Sequence, residues 1–373
     1  MRVWRMDPMD RGERERFLTL PFDLYRDDPQ WVPPLAMDIR RMLNPRRHPF
    51  YAHSQAAFFL AETAPGRTAG RLAVLDNRNF NAHKGTKTAF FYLFECVNDH
   101  QVASALFEAG FGWARDRGLD EILGPKGFTA LDGLGMLARG FEHRPAFGQP
   151  YNPPYYPHLA ELVGLETERE LISGYLGADT RFPERFHRVA DKVRRRRGLH
   201  IARFTRRRDL RAFVPKLKDL YNSALGETEW TVPLTQDEAD ALASQLLWFA
   251  DPKLIKVVVK DEEPVGFLFA YPDISAGLQR TGGRLFPFGW IHLLREARRT
   301  EWVNINGAGI LERYRGLGGT AILFSEVEKS IREGGFQHAD LVQIGTENET
   351  MLREMRGLGV EPYKLHRLYR RSL

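Results

Sequence analysis

The stretch of this sequence best suited to chemistry is ERYRGLGGTAIL, Glu312 to Leu323, where Arg315 precedes Gly316, Gly318 and Gly319, and Thr320 opens an apolar helical run. Glycines lack the Cβ that would hold an anion away, so successive backbone N–H groups can converge on it. A helix starting there adds its unpaired first N–H groups and the positive end of its dipole. The chemistry on offer is phosphate binding. Residue types suited to proton transfer lie elsewhere: Glu301 and Glu312 at the two ends of the strand before the loop, Glu227 and Glu229 beside Trp230 in GETEW, and Tyr363 in VEPYKLHRLY.

These residues need elements to position them. WVNINGAGIL reads as a strand leading into the loop, with Gly307 and Gly309 suited to a bulge. ILFSEVEKSIREGG has helical spacing, and HADLVQIG returns as a strand. Ahead of them, HIARF is a strand and two helical stretches lie between Arg208 and Phe249. Leu254–Lys260 and Pro264–Asp273 then form a hairpin across DEE. The N-terminal half shows the same order. Ala56–Thr63 and Thr68–Asn77 join at a Pro-Gly turn, Thr88–Val97 is a third strand, and VASALFEAGFGWARDRG is a helix that Gly118 stops.

The two halves can be placed in register. Leu106-Phe107 and Leu323-Phe324 stand 217 positions apart, as do the helix-ending Gly118 and Gly335, and the same offset sets Leu93 against Ile310. Gly70 and Gly266 in the hairpins are 196 apart, so the second copy carries about 21 extra residues, including the aromatic segment Gly282–Leu294. We read a tandem duplication: a first domain over 1–180, a connecting helix over 181–198 with the basic cluster Arg194–Arg197 at its end, and a second domain over 199–373. At offset 217 the first copy has NDHQVA in place of the glycine loop, and Asp99 there would repel a phosphate.

The order of elements and the loop resemble the GNAT acetyltransferase superfamily, whose signature Q/R-x-x-G-x-G/A lies between a strand and a helix. Arg315 and Gly318 fall in that frame with Thr320 in place of its last Gly or Ala, and Arg313, Gly316 and Gly318 fit it a second way; the length of the following helix favours the first. Gly335-Phe336, Asn348 and MLREMRGLGV continue the resemblance over 199–373, while the first half matches as a degenerate copy. The resemblance implies an α/β (α+β) fold of two tandem GNAT-like domains, each a mixed, mostly antiparallel sheet flanked by helices. It implies acetyl-CoA or another acyl-CoA as co-substrate, with Ile310 and Leu311 along the pantetheine and Arg315, Gly316, Leu317, Gly318, Gly319, Thr320 and Asn348 at the donor. The acceptor would meet Glu227, Glu229 and Trp230, and Glu301, Glu312 and Tyr363 would handle protons. Met355 stands where the family often has an acid tyrosine, and it cannot donate a proton.

The implied reaction is acyl transfer to a small-molecule or peptide amine. Two other readings stay open: a transferase of the Fem type, which shares tandem GNAT-like domains and takes an aminoacyl-tRNA donor, and a non-catalytic acyl-CoA sensor. Composition narrows the field. The 373 residues carry 54 Lys+Arg against 48 Asp+Glu, an excess suited to an anionic small ligand but too small to argue for nucleic acid by itself. One cysteine, Cys96, excludes an internal disulfide, and the eleven histidines show no HxxxH spacing, so no metal is expected. No signal-peptide pattern and no apolar run of about 18 residues is present, which predicts a cytoplasmic protein with no membrane partner. YNPPYYPHL and LFPFGW read as proline-braced packing segments.

Overall fold

The computed structural model describes residues 1–129, 132–225 and 231–373. They form two compact units: Met1–Ile172 with Ser275–Leu293 and Lys364–Leu373, and Ser173–Ile274 with Leu294–Tyr363.

The first unit begins with β1 (Arg2–Arg5), α1 (Arg11–Leu24) and α2 (Ala36–Met42). Asp10 caps α1 by accepting the Glu13 N–H. Next come β2 (Gln55–Ala64), β3 (Arg67–Asp76), α3 (Arg78–Lys84), β4 (Thr88–Cys96), α4 (His100–Arg115), β5 (Glu121–Gly124), β6 (Met136–Arg139), α5 (Tyr156–Leu162) and β7 (Glu166–Gly177). The β2–β3 turn holds Gly66 at φ 80, a conformation glycine adopts without strain. Strands pair antiparallel from β1 through β4, and β4 then pairs parallel with β5. Helix α4 buries Val102, Leu106, Phe107 and Phe111 in the core beside Leu72, Val74 and Phe91. Burial of each such side chain stabilises by about 1.5–3 kcal/mol.

The second unit takes the end of β7, then α6 (Glu184–Arg197), β8 (His200–Ala202), α7 (Arg207–Leu225), α8 (Gln236–Leu246), β9 (Lys256–Lys260) and β10 (Glu263–Pro272). The chain passes through α9 (Ser275–Thr281) and α10 (Gly289–Arg299) before β11 (Trp302–Ile310), α11 (Gly319–Glu333), β12 (His338–Gly345), α12 (Glu349–Gly357) and β13 (Glu361–Ser372). Within the unit the sheet runs β7-β12-β11-β10-β9-β8. β8, β9, β10 and β11 pair antiparallel, and β11 pairs parallel with β12. Both units thus contain the expected mixed, mostly antiparallel sheet flanked by helices. Ile322, Leu323, Phe324 and Val327 on α11 are buried, as are their register mates Leu106 and Phe107 on α4.

One alignment is corrected. Each of β4 and β11 carries an extra residue against its hairpin partner, with Leu93 at φ 50 and Gly307 at φ 91. Those bulges are 214 positions apart, so Leu93 answers to Gly307 rather than to Ile310. Eight residues separate β11 from α11, whereas three separate β4 from α4. The longer connection is the one that contains Arg315–Gly318.

Candidate functional site

Gly316 and Gly318 adopt φ 69 and 87, so the chain coils back on itself just before α11. Gly318 is the N-cap and supplies no side-chain cap, and the first turn of α11 carries no acidic residue. The early N–H groups of the helix are therefore left to an outside acceptor. Glycine is demanded twice at position 318. Beyond its positive φ, a Cβ there would stand 2.6 Å from Val193 Cγ2 on α6. At Gly319 a Cβ would meet Ile310 Cδ1 at 3.0 Å. Arg315 braces the loop: its Nη2 donates to Ala224 O at 3.2 Å and its Nε to Ile310 O at 3.3 Å.

Beside the loop, β11 and β12 part company. Their ladder runs from Trp302↔His338 to Ile305↔Leu341 and stops, while β11 continues past its bulge to Ile310. An extended, amide-bearing molecule can pair with a strand edge of this kind.

The same places in the first unit are filled by the chain itself. β4 pairs with β5 only from Thr88 to Phe90. Beyond that point Phe91 O accepts from Lys126 N at 2.9 Å. Cys96 N donates to Tyr156 Oη at 2.8 Å, and Tyr155 Oη donates to Cys96 O at 2.8 Å. At the N-terminus of α4 the Asp99 carboxylate accepts the Gln101 N–H at 2.8 Å. A negative side chain thus occupies the position that an anion would take. Segment YNPPYYPHL packs as expected, and its Tyr155 and Tyr156 serve this sealing role. The LFPFGW aromatics do not pack: Phe286, Phe288 and Trp290 are exposed.

Three hydrogen-bonded pairs of polar side chains lie in the second unit where β11 and β12 part. Tyr363 Oη donates to Asp340 Oδ2 at 2.5 Å. Asn304, the register partner of Asp340, donates from Nδ2 to Asp273 Oδ1 at 3.1 Å. Asn306 Nδ2 donates to Tyr271 Oη at 3.1 Å. Asp273, Asn304 and Asp340 are all buried. Burial, together with the Asp340 carboxylate, pushes the Tyr363 hydroxyl far above its usual range, so it keeps its proton. Tyr175 Oη lies 2.7 Å from His338 Nδ1, beside the same ladder. Sequence reading missed Asp273, Asn304 and Asp340. Their only signal was polarity at positions of PVGFLFAYPD, WVNINGAGIL and HADLVQIG that should face a core.

The other sequence candidates are dispersed. Glu301 is exposed at the opposite end of β11 from the loop, nine strand residues or about 30 Å away. Glu312 is exposed in the turn Glu312–Tyr314. Leu311 is buried, with its N–H on Val265 O at 2.9 Å. Ile310 packs over Gly319, and Leu317 and Thr320 are half-buried around the cradle. Asn348 is the N-cap of α12, accepting the Met351 N–H at 3.1 Å. Met355 is buried, and a Cβ on Gly174 would come within 2.5 Å of its methyl group. Glu227, Glu229 and Trp230 lie outside the described residues. A cavity of about 270 Å³ borders the C-terminal half of α11 and the start of β12, away from the glycine loop.

No protein-family model matches the chain. It is 25% identical over 375 residues to protein YghO of Escherichia coli K12, covering 98% of this chain and 94% of that one. It is 26% identical over 372 residues to a bacterial ceramide synthase of Caulobacter vibrioides, covering 97% and 95%. Among solved structures, a tandem GNAT protein from the clavulanic acid biosynthesis pathway superposes with a TM-score of 0.58 at 13% identity, covering 100% of this chain and 98% of that one. A GCN5-related N-acetyltransferase from Sphaerobacter thermophilus gives 0.53 at 15% identity, covering 100% and 95%. Along its whole length the chain therefore has the fold of tandem GNAT proteins, and it is a distant homologue of YghO and of a bacterial ceramide synthase.

Proposed function

We propose that this protein is an acyl-CoA-dependent N-acyltransferase with one donor site, built by the second unit. The observation that carries the reading is the contrast at matched positions: an uncapped glycine cradle beside a parting strand pair in one unit, and the same features sealed by Asp99, Lys126, Tyr155 and Tyr156 in the other. The cradle residues Gly316–Thr320 would hold the pyrophosphate on backbone N–H groups, and β11 from Asn306 to Ile310 would pair with the pantetheine amides. Bound there, an acyl-CoA supplies an activated thioester carbonyl.

The chain's own part is proton handling and placement. Transfer forms an N–C bond and breaks a C–S bond, so one proton must leave the amine and one must reach the sulfur. Tyr363 would relay the amine proton to Asp340, and the same pair would return it to the leaving sulfur; their hydrogen bond supports this reading. Kinship with a ceramide synthase supports an amine acceptor that carries a long alkyl chain, and an acyl group longer than acetyl.

The test is titration with acetyl-CoA and palmitoyl-CoA, followed by mass spectrometry of products from a panel of short amines and long-chain amino alcohols. An N-acylated product from one of the amines supports the reading. Donor binding with no product from any amine would make the protein a sensor. Failure to bind either donor, with tight salt-sensitive tRNA binding, would favour the aminoacyl-tRNA alternative.

A further inference from the structure

Five of the nine exposed large apolar side chains among the described residues gather round one turn of the first unit. Phe286, Phe288 and Trp290 are 77%, 67% and 45% exposed, and Phe22 and Met37 are 38% and 54% exposed. Phe22 borders the turn, since its Cε1 would lie 3.8 Å from a Cβ on Gly282. Met37 borders it as well, because the neighbouring Ala36 N–H donates to Gly283 O at 3.0 Å. Clustered exposure of this kind marks an interaction surface, whereas single exposed apolar residues do not.

The turn is fixed in its outward pose. Gly283 N donates to Leu278 O at 3.0 Å, Arg284 N to Thr281 O at 3.1 Å, and Trp290 N to Leu285 O at 2.9 Å. Gln279 Nε2 holds Pro29 O at 2.8 Å and Trp31 O at 3.0 Å. Leu278 and Leu293 anchor its two ends in the interior. Phe22 stands edge-on to Trp31, which stacks on Tyr25. The aromatic rings are therefore presented to solvent by a braced scaffold.

Charge selects the occupant. Within Ser275–Leu293 there are two arginines and no acidic residue, and both Arg280 and Arg284 are exposed. Phenylalanine and tryptophan rings rimmed by arginine match the boundary between the acyl chains and phosphates of an anionic bilayer. The expectation of no membrane partner rested on spanning segments. None of the described helices is long and apolar enough to cross a membrane, but docking on a surface needs no such helix.

We propose that the turn 282–290 docks on anionic lipid bilayers, with Phe286, Phe288 and Trp290 entering the interface and the neighbouring arginines on lipid phosphates. This proposal stands apart from the acyl-transfer reading, because none of these residues belongs to the donor site or the polar pairs.

The experiment is co-sedimentation with vesicles of phosphatidylcholine alone and of phosphatidylcholine mixed with phosphatidylglycerol. The expected result is recovery of the protein with the mixed vesicles and loss of that recovery at high salt, which screens exposed charges. Phe286→Ser/Phe288→Ser/Trp290→Ser should weaken partitioning by about tenfold or more, since each ring buries substantial apolar area. Arg280→Glu/Arg284→Glu should weaken it independently, which decides the matter if the serine variant fails to fold. The idea is overturned if the wild type sediments no better with mixed vesicles than without them. It is equally overturned if both variants bind like the wild type, or if sedimentation velocity shows that the patch instead pairs two copies of the chain. Donor binding measured in parallel reports on the transferase reading separately.

Discussion

Gly318 and Val193 are locked together: a Cβ on the glycine would lie 2.6 Å from the valine Cγ2, so the cradle is shaped as much by α6 as by its own loop. Gly318→Ala should lower affinity for acyl-CoA by at least about tenfold, through the clash and the positive φ together. Gly318→Asp should abolish binding, because its carboxylate would meet the pyrophosphate. Isothermal titration with CoA checks both, and undiminished affinity in Gly318→Asp would remove the cradle from the donor site.

In the proposed transfer, the pair Tyr363–Asp340 would bear on turnover rather than donor binding. Asp340→Asn preserves shape and should lower kcat by about 10²- to 10⁴-fold, with CoA affinity unchanged. Tyr363→Phe should behave alike. Unchanged kcat in both variants would remove the pair from proton transfer.

Stoichiometry tests the sealing of the first unit. One CoA should bind per chain, and Tyr156→Phe should leave that number unchanged. The same substitution should cost about 1–3 kcal/mol of stability, since Cys96 N–H and Glu95 lose a buried partner at 2.8 Å. Denaturant midpoints measure this loss, and two bound donors would refute the assignment.

His366 gives a pH signature. It is buried, hydrogen-bonded to Pro150 O at 3.1 Å, and burial lowers its pKa from 6.5 to about 4. Between those values the unfolded chain binds a proton that the folded chain refuses, so stability falls as pH drops from 6.5 towards 4 and is fully present above 6.5. The loss amounts to about 3 kcal/mol. His366→Gln should flatten this stretch in urea unfolding curves recorded across the range.

Much of the fold was legible because local rules and tertiary packing agreed. The apolar stripes of α4 and α11, the Pro-Gly hairpin and the strand flanking the glycine loop follow from periodicity and turn chemistry. The strand register was misread by three residues because bulges are invisible to periodicity, and Leu93 with φ 50 carries no glycine to mark it. LFPFGW was read as packing since apolar composition alone does not say which way a turn faces. The polar pairs escaped because Asp340 and Asn304 gain their meaning from neighbours on other strands.

By itself the sequence determined the tandem fold and the place of the glycine loop between β11 and α11. Both rest on spacing along one chain, which sets helix faces, strand faces and turns. Only the tertiary structure decided that Asp340 meets Tyr363, that Tyr155 and Tyr156 seal β4, and that the last ten residues, Lys364–Leu373, cluster with the first unit. The physical reason is that hydrogen bonds between distant strands, and burial against them, depend on register and bulges. Those are set by packing across the sheet, and no residue spacing encodes them alone.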